Sequence, residues 1–210
     1  MVDGVIVNSL NIGAEAYAEM GLSLVGIDCD LGEASVQIAS DSYSIGELAT
    51  RRLIDDGCSR ILCLRSNSRM RMPANKRTDA YLDVVEQAGL PALVREVEFV
   101  KPDDEKSAVV AKILDENPDI DGIFAGDDTM AAICLNIMKQ RGLSAPDDIK
   151  VVGADGARRT MTFMPDLTTV RQDIDRIGEL AAQSIIALIN GEKPESNIKL
   201  PVELIEGKTA

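Results

Sequence analysis

Strand-like and helix-like segments alternate along this chain, and the helical segments repeatedly stop at a glycine. These stops are Gly21, Gly57, Gly89, Gly142 and Gly191. A glycine just past a helix adopts the left-handed conformation that closes the helix C-terminus. The order strand, helix, glycine stop, strand is typical of parallel βαβ units joined by right-handed crossovers. The sequence therefore predicts an α/β protein with parallel sheets.

The apolar runs predict where the strands lie. Strands are expected at 2–7, 22–27, 35–39, 60–64, 94–100, 120–125, 149–154, 167–170 and 199–205. The run RILCL at 60–64 is almost continuously apolar, as a strand buried on both faces should be. The last long helix is expected to bury one face, made of Ile174, Ile177, Ala181, Ile185, Leu188 and Ile189. Asp103 and Asp104 suit the first turn of an earlier helix, where negative charge meets the helix dipole.

Composition and charge exclude several classes of protein. A chain of 210 residues suits one large or two small α/β domains, and no apolar run approaches the ~20 residues of a membrane span. The start, MVDGVIVNS, lacks the features of a signal peptide, so a cytoplasmic protein is expected. The net charge of −13 argues against this chain itself gripping a phosphate backbone, which needs a basic face.

Histidine is absent from the sequence, and the four cysteines do not form a CxxC pair. The absence of histidine excludes Ser-His-Asp and Cys-His nucleophiles and His-based metal sites. Cys29, Cys58, Cys63 and Cys134 are interpreted as buried reduced thiols rather than as metal ligands or disulfides. The chain has neither a GxGxxG fingerprint nor a P-loop, so neither a cofactor nor a metal is expected.

Acidic side chains recur directly after the apolar runs. They are Asp28, Asp41, Asp127 with Asp128, and Asp155, and Gln172 follows the run at 167–170. Because parallel strands point their carboxyl ends to one edge of a sheet, where α/β proteins bind ligands, these groups are expected close together. Carboxylates, an amide and one cation can hold the hydroxyls of a polyol. The cation best placed for this is Arg77, whose fork suits vicinal hydroxyls, a carboxylate or a phosphate.

Each carboxylate also has a second interpretation, as a helix N-cap that contributes about 0.5–2 kcal/mol. For Asp128 the N-cap is favoured, while for Asp28, Asp127 and Asp155 both interpretations stay open. The basic residues at 65–77 are expected to form a mostly exposed loop, with only Arg77 as a ligand candidate. Paired carboxylates can hydrolyse substrates, but no spacing here singles out such a pair, so an enzyme is not expected.

Several longer motifs resemble one protein family over nearly the whole chain. They are VDGVIV near the start, IDCD at 27–30, DSYSIGELATRRLIDDG at 41–57, KRTDAY at 76–81, DGIFAGDDTMA at 121–131, PDDIKVVGADG at 146–156, PDLTTVRQD at 165–173 and LPVELIEGKT at 200–209. Together they resemble the LacI/GalR family of bacterial transcription regulators. PDDIKVVGADG followed by PDLTTVRQD favours that family over the related periplasmic sugar-binding proteins.

The resemblance implies the periplasmic-binding-protein type I fold, with two Rossmann-like lobes built on parallel sheets. Crossings between the lobes are expected near 40–42, 170–173 and 195–198. Residues 1–41 and 173–195 would form a partial N-terminal lobe, and residues 42–172 and 196–210 the C-terminal lobe. Met1 matches a point well inside the family's core, so the first lobe is expected to be incomplete.

The family's effector-contacting positions fall on residues already considered above. The implied set is Asp28, Arg77, Asp127, Asp155, Gln172 and, from a less direct match, Phe99. The family usually has Asn where this chain has Asp127, so a hydrogen-bond donor has become an acceptor. Ile45 stands where a glycine is common, and Ala80 replaces another before Tyr81.

The function implied is that of the effector-sensing core of a transcription regulator. A small sugar or related polar metabolite would bind between the lobes and control the DNA binding of the full-length protein. Operator DNA would be bound only through an N-terminal domain that has no counterpart here, and a homodimer is expected. The alternative is the sugar-binding component of a transport system whose export signal is missing.

Overall fold

The computed structural model describes residues 2–8, 21–29, 31–32, 35–67, 73–98 and 101–210. Its strands, numbered in chain order, are β1 (Gly4–Asn8), β2 (Ser23–Ile27), β3 (Val36–Ser40), β4 (Ile61–Asn67), β5 (Leu93–Glu98), β6 (Gly122–Ala125), β7 (Lys150–Asp155), β8 (Thr168–Gln172), β9 (Asn197–Leu200) and β10 (Val202–Ile205). Its described helices are α1 (Ser42–Asp55), α2 (Lys76–Gln87), α3 (Asp103–Glu116), α4 (Asp128–Gln140), α5 (Arg158–Phe163) and α6 (Ile174–Ile189), with a short 3-10 helix at Pro73–Asn75.

The chain forms two compact units, each with its own sheet. The chain passes from one unit to the other at Ser42/Tyr43, Gln172/Asp173 and Pro201/Val202. Pro73 and Ala74, inside the range expected for the C-terminal lobe, also group with the first unit. Every helix in the described part of the chain is too short or too polar to cross a lipid bilayer.

The first unit contains a four-stranded parallel sheet in the order β1-β2-β3-β9. Helix α6 packs against it, with Ile177 and Ala181 buried beside Val25 and Ile38. The expected apolar face of this helix is only partly correct. Its two terminal isoleucines, Ile174 and Ile189, are about half exposed, whereas Ile185 and Leu188 do pack against the sheet and Leu180 joins them.

The second unit contains a six-stranded sheet in the order β10-β8-β7-β6-β4-β5. Its strands are parallel except β10, which runs antiparallel to β8. Strand β4 is buried on both faces, as its apolar run predicts. Leu62 and Leu64 belong to one core with α3 and α4, and Ile61 and Cys63 belong to a second core with α1 and α2.

The strand order of this sheet has a switch point between β4 and β6. After β4 the chain first adds β5 on one side and then returns to add β6 on the other. The connections that follow β4 and β6 therefore diverge, and they leave a crevice outside the carboxyl ends of these two strands. Open α/β sheets bind ligands at such a switch point.

Two segments differ from the sequence-based expectation. The expected single strand at 199–205 is two strands, β9 and β10, which belong to different sheets and are separated by Pro201. Residues 197–200 pair with β3, so the last change of unit falls after Pro201 rather than at 195/196. Within 151–173, the connection after β7 contains a short helix, α5, that the glycine-rich pattern did not indicate.

The glycine stops and the cysteines agree with expectation. All five stop glycines have positive φ, between 65° and 87°. The four cysteines are buried thiols that are not joined in disulfides.

Candidate ligand site at the carboxyl ends of the second sheet

Strand β7 ends in a strained turn that carries Asp155. Asp155 has φ 109°, a conformation that side chains other than glycine rarely adopt and that costs on the order of 1–3 kcal/mol. Gly156 follows with φ 58°, and a Cβ on it would lie 2.7 Å from the Cβ of Arg171. Only glycine fits there, so the turn holds the Asp155 carboxylate in one place.

Asp155 is the centre of a small hydrogen-bonded cluster. Its Oδ1 accepts from Nη2 of Arg77 at 2.9 Å and from Nε2 of Gln172 at 2.6 Å. The other terminal nitrogen of Arg77, Nη1, donates to the carbonyl oxygen of Gly126 at 2.5 Å. Burial raises the pKa of Asp155 above its ordinary value, and the Arg77 guanidinium opposes that rise. The cluster therefore joins a cation, a carboxylate and an amide from three separate elements.

The position of Arg77 depends on a close helix contact. Arg77 lies in the first turn of α2, and a Cβ on Gly46 of α1 would lie only 2.0 Å from the Arg77 carbonyl oxygen. The Arg77 side chain is 11% exposed, and its buried Nε has no hydrogen-bond partner among the described residues. Arg77 is thus held from its backbone and keeps one unpaired donor.

Asp127 serves as a helix cap and still presents an oxygen. Its Oδ1 accepts from the backbone N–H of Met130 at 2.8 Å, which makes it the N-cap of α4. Its Oδ2 is 3.4 Å from the hydroxyl of Ser66, near the end of β4. Both interpretations that the sequence left open for Asp127 are therefore compatible with the structure. Ser66 was not anticipated, because a serine after a basic residue carries no distinctive signal.

The N-cap interpretation of Asp128 is wrong. Asp128 is 4% exposed, and its two oxygens accept from the Gly156 N–H at 2.8 Å and the Thr169 hydroxyl at 2.6 Å. Burial is the largest cause that raises its pKa to about 6, and the charges of Asp155 and Asp127 add to the rise. The preceding residue, Asp127, is the N-cap instead. Two adjacent aspartates in a sequence do not show which of them caps the helix.

The remaining candidates lie elsewhere or outside the described residues. Asp28, in the first unit, has φ 51° and donates its N–H to the Ile38 carbonyl at 3.0 Å. Asp41, in the same unit, pairs with Lys199 at 2.9 Å. Phe99 lies outside the described residues, so its expected contact with the effector stays a prediction.

The basic segment before α2 contributes little that the structure describes. Arg65 forms an ion pair with Glu96 on the neighbouring strand. Arg69 and Arg71 lie outside the described residues. In the described part of the chain, no group of three or more Cys, Asp or Glu side chains is arranged to hold a metal ion.

The chemistry of the cluster is that of a binding site for a polar molecule. Carboxylates accept hydrogen bonds, and guanidinium and amide groups donate them, so hydroxyls can be held in fixed geometry. A mainly parallel α/β sheet with such groups at its switch point is typical of ligand-binding α/β domains.

Comparison with known proteins identifies the family. The family of periplasmic binding protein-like domains matches residues 50–210. The sucrose operon repressor of Pediococcus pentosaceus is 32% identical over 211 residues, which cover 100% of this chain and 64% of that protein. The ribose operon repressor of Halalkalibacterium halodurans is 30% identical, over 99% of this chain and 62% of that protein.

A solved structure of the regulator CelR in complex with cellobiose superposes with a TM-score of 0.88 at 28% identity, over 100% of this chain and 66% of that one. The chain therefore belongs to the periplasmic binding protein-like domain family. It spans less than two thirds of the length of the curated relatives it matches.

Proposed function

We propose that this chain is the effector-sensing core of a LacI/GalR-type transcription regulator and that it binds a small sugar or related polar metabolite. The observation that supports this most is the cluster around Asp155, which joins Arg77 and Gln172 beside the switch point of the second sheet. Sugars present many hydroxyls that each donate and accept, and this cluster offers both kinds of partner.

The binding roles follow from the contacts. Asp155 accepts from one sugar hydroxyl through the lone pairs that its present partners leave unused, and Gln172 contributes an amide oxygen. Arg77 supplies the donors, since each of its terminal nitrogens carries a second N–H beyond the one given to Gly126 or Asp155. Asp127 contributes Oδ2, because only Oδ1 is needed for the helix cap. Asp28 and Phe99 are assigned by the resemblance alone.

The relatives suggest which ligands to test first and which partners to expect. Two relatives in sequence are named as repressors of a sucrose and a ribose operon, and a structural relative is complexed with cellobiose. Because these relatives are regulators, we propose that the chain has no catalytic activity and acts in the cytoplasm. Operator DNA and a second copy of the chain are the partners proposed for the full-length protein. A role in transport is not favoured by any of these names.

The test is a ligand-dependent melt followed by circular dichroism, because a chain without tryptophan gives poor intrinsic fluorescence. A sugar at 100 times its Kd stabilises the folded state by about 2.7 kcal/mol. That corresponds to a rise of about 5–10 °C in Tm for a chain of this size. Sucrose, ribose and cellobiose should be tried first. A cooperative melt that no sugar of a broad panel shifts would contradict the proposal.

A pair of arginine variants tests the site itself. Arg77→Ala removes the guanidinium that contacts Asp155 and should weaken sugar binding at least 10-fold. Arg60→Ala is the matched control, because Arg60 forms an exposed ion pair with Asp119 at 2.9 Å. Its Kd should stay within about twofold of wild type, since exposed ion pairs contribute little. Unchanged binding by Arg77→Ala would remove Arg77 from the site.

A further inference from the structure

One buried carboxylate joins the three segments that carry Asp127, Asp155 and Gln172. Asp128 directly follows Asp127 at the start of α4. Its Oδ2 accepts from the N–H of Gly156, the residue after Asp155. Its Oδ1 accepts from the hydroxyl of Thr169, three residues before Gln172 on β8. The three segments have different positions in the sequence and meet at this one side chain.

The surroundings of Asp128 leave it little freedom. The residue is 4% exposed, and a Cβ on Gly153 of β7 would lie 2.5 Å from its Oδ1. The glycine at 153 therefore makes room for the carboxylate beside the sheet. A buried carboxylate is expensive unless its oxygens are hydrogen-bonded, and both oxygens of Asp128 are. A buried carboxylate of this kind is expected where its hydrogen bonds hold the surrounding backbone in place.

The turn after β7 needs such an anchor. Asp155 has the strained φ of 109°, which it keeps only if neighbouring contacts over-determine the backbone. The bond from the Gly156 N–H to Asp128 is one of those contacts, and it directly follows the strained residue. If it were lost, the turn could relax and move the Asp155 carboxylate away from Arg77 and Gln172.

We infer that Asp128 is the positioning residue of this site, whose buried carboxylate fixes the arrangement of Asp127, Asp155 and Gln172 that binds the effector. Asp128 acts through these residues and is not itself placed in contact with the effector. A site of this kind depends on supporting residues that hold the binding groups to within about 0.5 Å. The inference rests on the proposed function, since it assigns Asp128 a role in the same site.

The test uses substitutions that remove or keep the two hydrogen bonds. Asp128→Ala leaves the Gly156 N–H and the Thr169 hydroxyl without their acceptor. Thr169→Val removes the hydrogen bond from the Thr169 hydroxyl to Asp128 and keeps a branched side chain of similar shape in the strand. Asp128→Asn should rescue binding, because an amide accepts from Gly156 and donates to a reoriented Thr169 hydroxyl. Thr169→Ser keeps the hydroxyl.

A matched control separates positioning from general stability. Asp148 also accepts from one N–H and one hydroxyl, those of Ser144, at 2.8 Å and 3.1 Å, but on an exposed turn. Asp148→Ala therefore loses the same kind of contacts at a position that the site does not include. Calorimetry with sucrose, ribose and cellobiose, at a temperature where circular dichroism shows every variant folded, gives Kd for each.

The expected result is a Kd at least 10-fold weaker in Asp128→Ala and in Thr169→Val. Asp128→Asn, Thr169→Ser and Asp148→Ala should stay within about threefold of wild type. Wild-type affinity in folded Asp128→Ala and Thr169→Val would overturn the inference. Equal losses in Asp128→Ala and Asp128→Asn would also overturn it, because the amide keeps the bonds.

If no sugar of the panel binds wild type, the inference is tested by the amide hydrogen exchange of Gly156, measured by NMR without any sugar. That failure would count against the proposed function alone. Exchange at least 10-fold faster in Thr169→Val than in Thr169→Ser would support the anchor, and equal rates would overturn it.

Discussion

Replacing Gly46 by alanine is expected to damage both the fold and the site. Gly46 lies inside α1, where its Cα faces the first turn of α2. A Cβ there would lie 2.0 Å from the carbonyl oxygen of Arg77 and 2.8–2.9 Å from its carbonyl carbon and Cα. These are backbone atoms, so no side-chain rotation can relieve the overlap. The two helices would have to separate by about 1 Å, a distance that packed cores resist.

The expected magnitude is the difference between two opposing effects. Overpacking of this kind costs about 1–3 kcal/mol and occasionally more, and contact with backbone points to the upper end. Replacing glycine by alanine inside a helix stabilises the folded state by about 0.5–1 kcal/mol. The net loss should be on the order of 2 kcal/mol, or about 4–8 °C in Tm for a chain of this size. Displacement of Arg77 should weaken sugar binding as well.

Gly178→Ala is the matched control. Gly178 is also inside a helix, α6, but a Cβ there would have no atom within 4 Å. Gly178→Ala should therefore only stabilise the helix, by about 0.5–1 kcal/mol. Thermal melts by circular dichroism compare both variants with wild type. If Gly46→Ala melts at or above the wild-type temperature, as Gly178→Ala should, the close contact between α1 and Arg77 is not a constraint on this fold.

Two further changes test the core of the same unit. Tyr81→Phe should cost about 1–3 kcal/mol in urea melts, because the Tyr81 hydroxyl donates to the Ile61 carbonyl at 2.7 Å and accepts from the Leu93 N–H at 2.9 Å, and the substitution removes both bonds. An unchanged free energy of unfolding would contradict this. The raised pKa of Asp128, about 6 against an ordinary 3.8, means that the folded state binds a proton more tightly than the unfolded state. The proton on Asp128 therefore stabilises the folded state fully below pH 3.8, and this contribution is lost as the pH rises through about 6. Between pH 5 and pH 7.5, the free energy of unfolding of wild type should fall by on the order of 1 kcal/mol relative to that of Asp128→Asn. A stability difference that does not vary with pH would refute the assignment.

Much of the site could be located from sequence because it depends on local signals. A carboxylate after an apolar run marks the end of a parallel strand, and three of the positions singled out, Arg77, Asp155 and Gln172, form one hydrogen-bonded cluster. The effector-binding role of these residues stays a prediction. Which of two adjacent aspartates caps α4 could not be predicted, because that depends on the burial of Asp128 and not on its neighbours in the chain.

The sequence by itself determined most of the described strands, the glycine stops and the family. Helix ends followed from glycines that tolerate positive φ, and strand β4 followed from an apolar run buried on both faces. These properties are local, so periodicity and residue type carry them. The tertiary structure alone decided which sheet receives the strands on either side of Pro201, and that Thr169 and Gly156 share the carboxylate of Asp128. Strand neighbours and buried polar partners come from distant parts of the chain, and their pairing depends on packing that local sequence does not record.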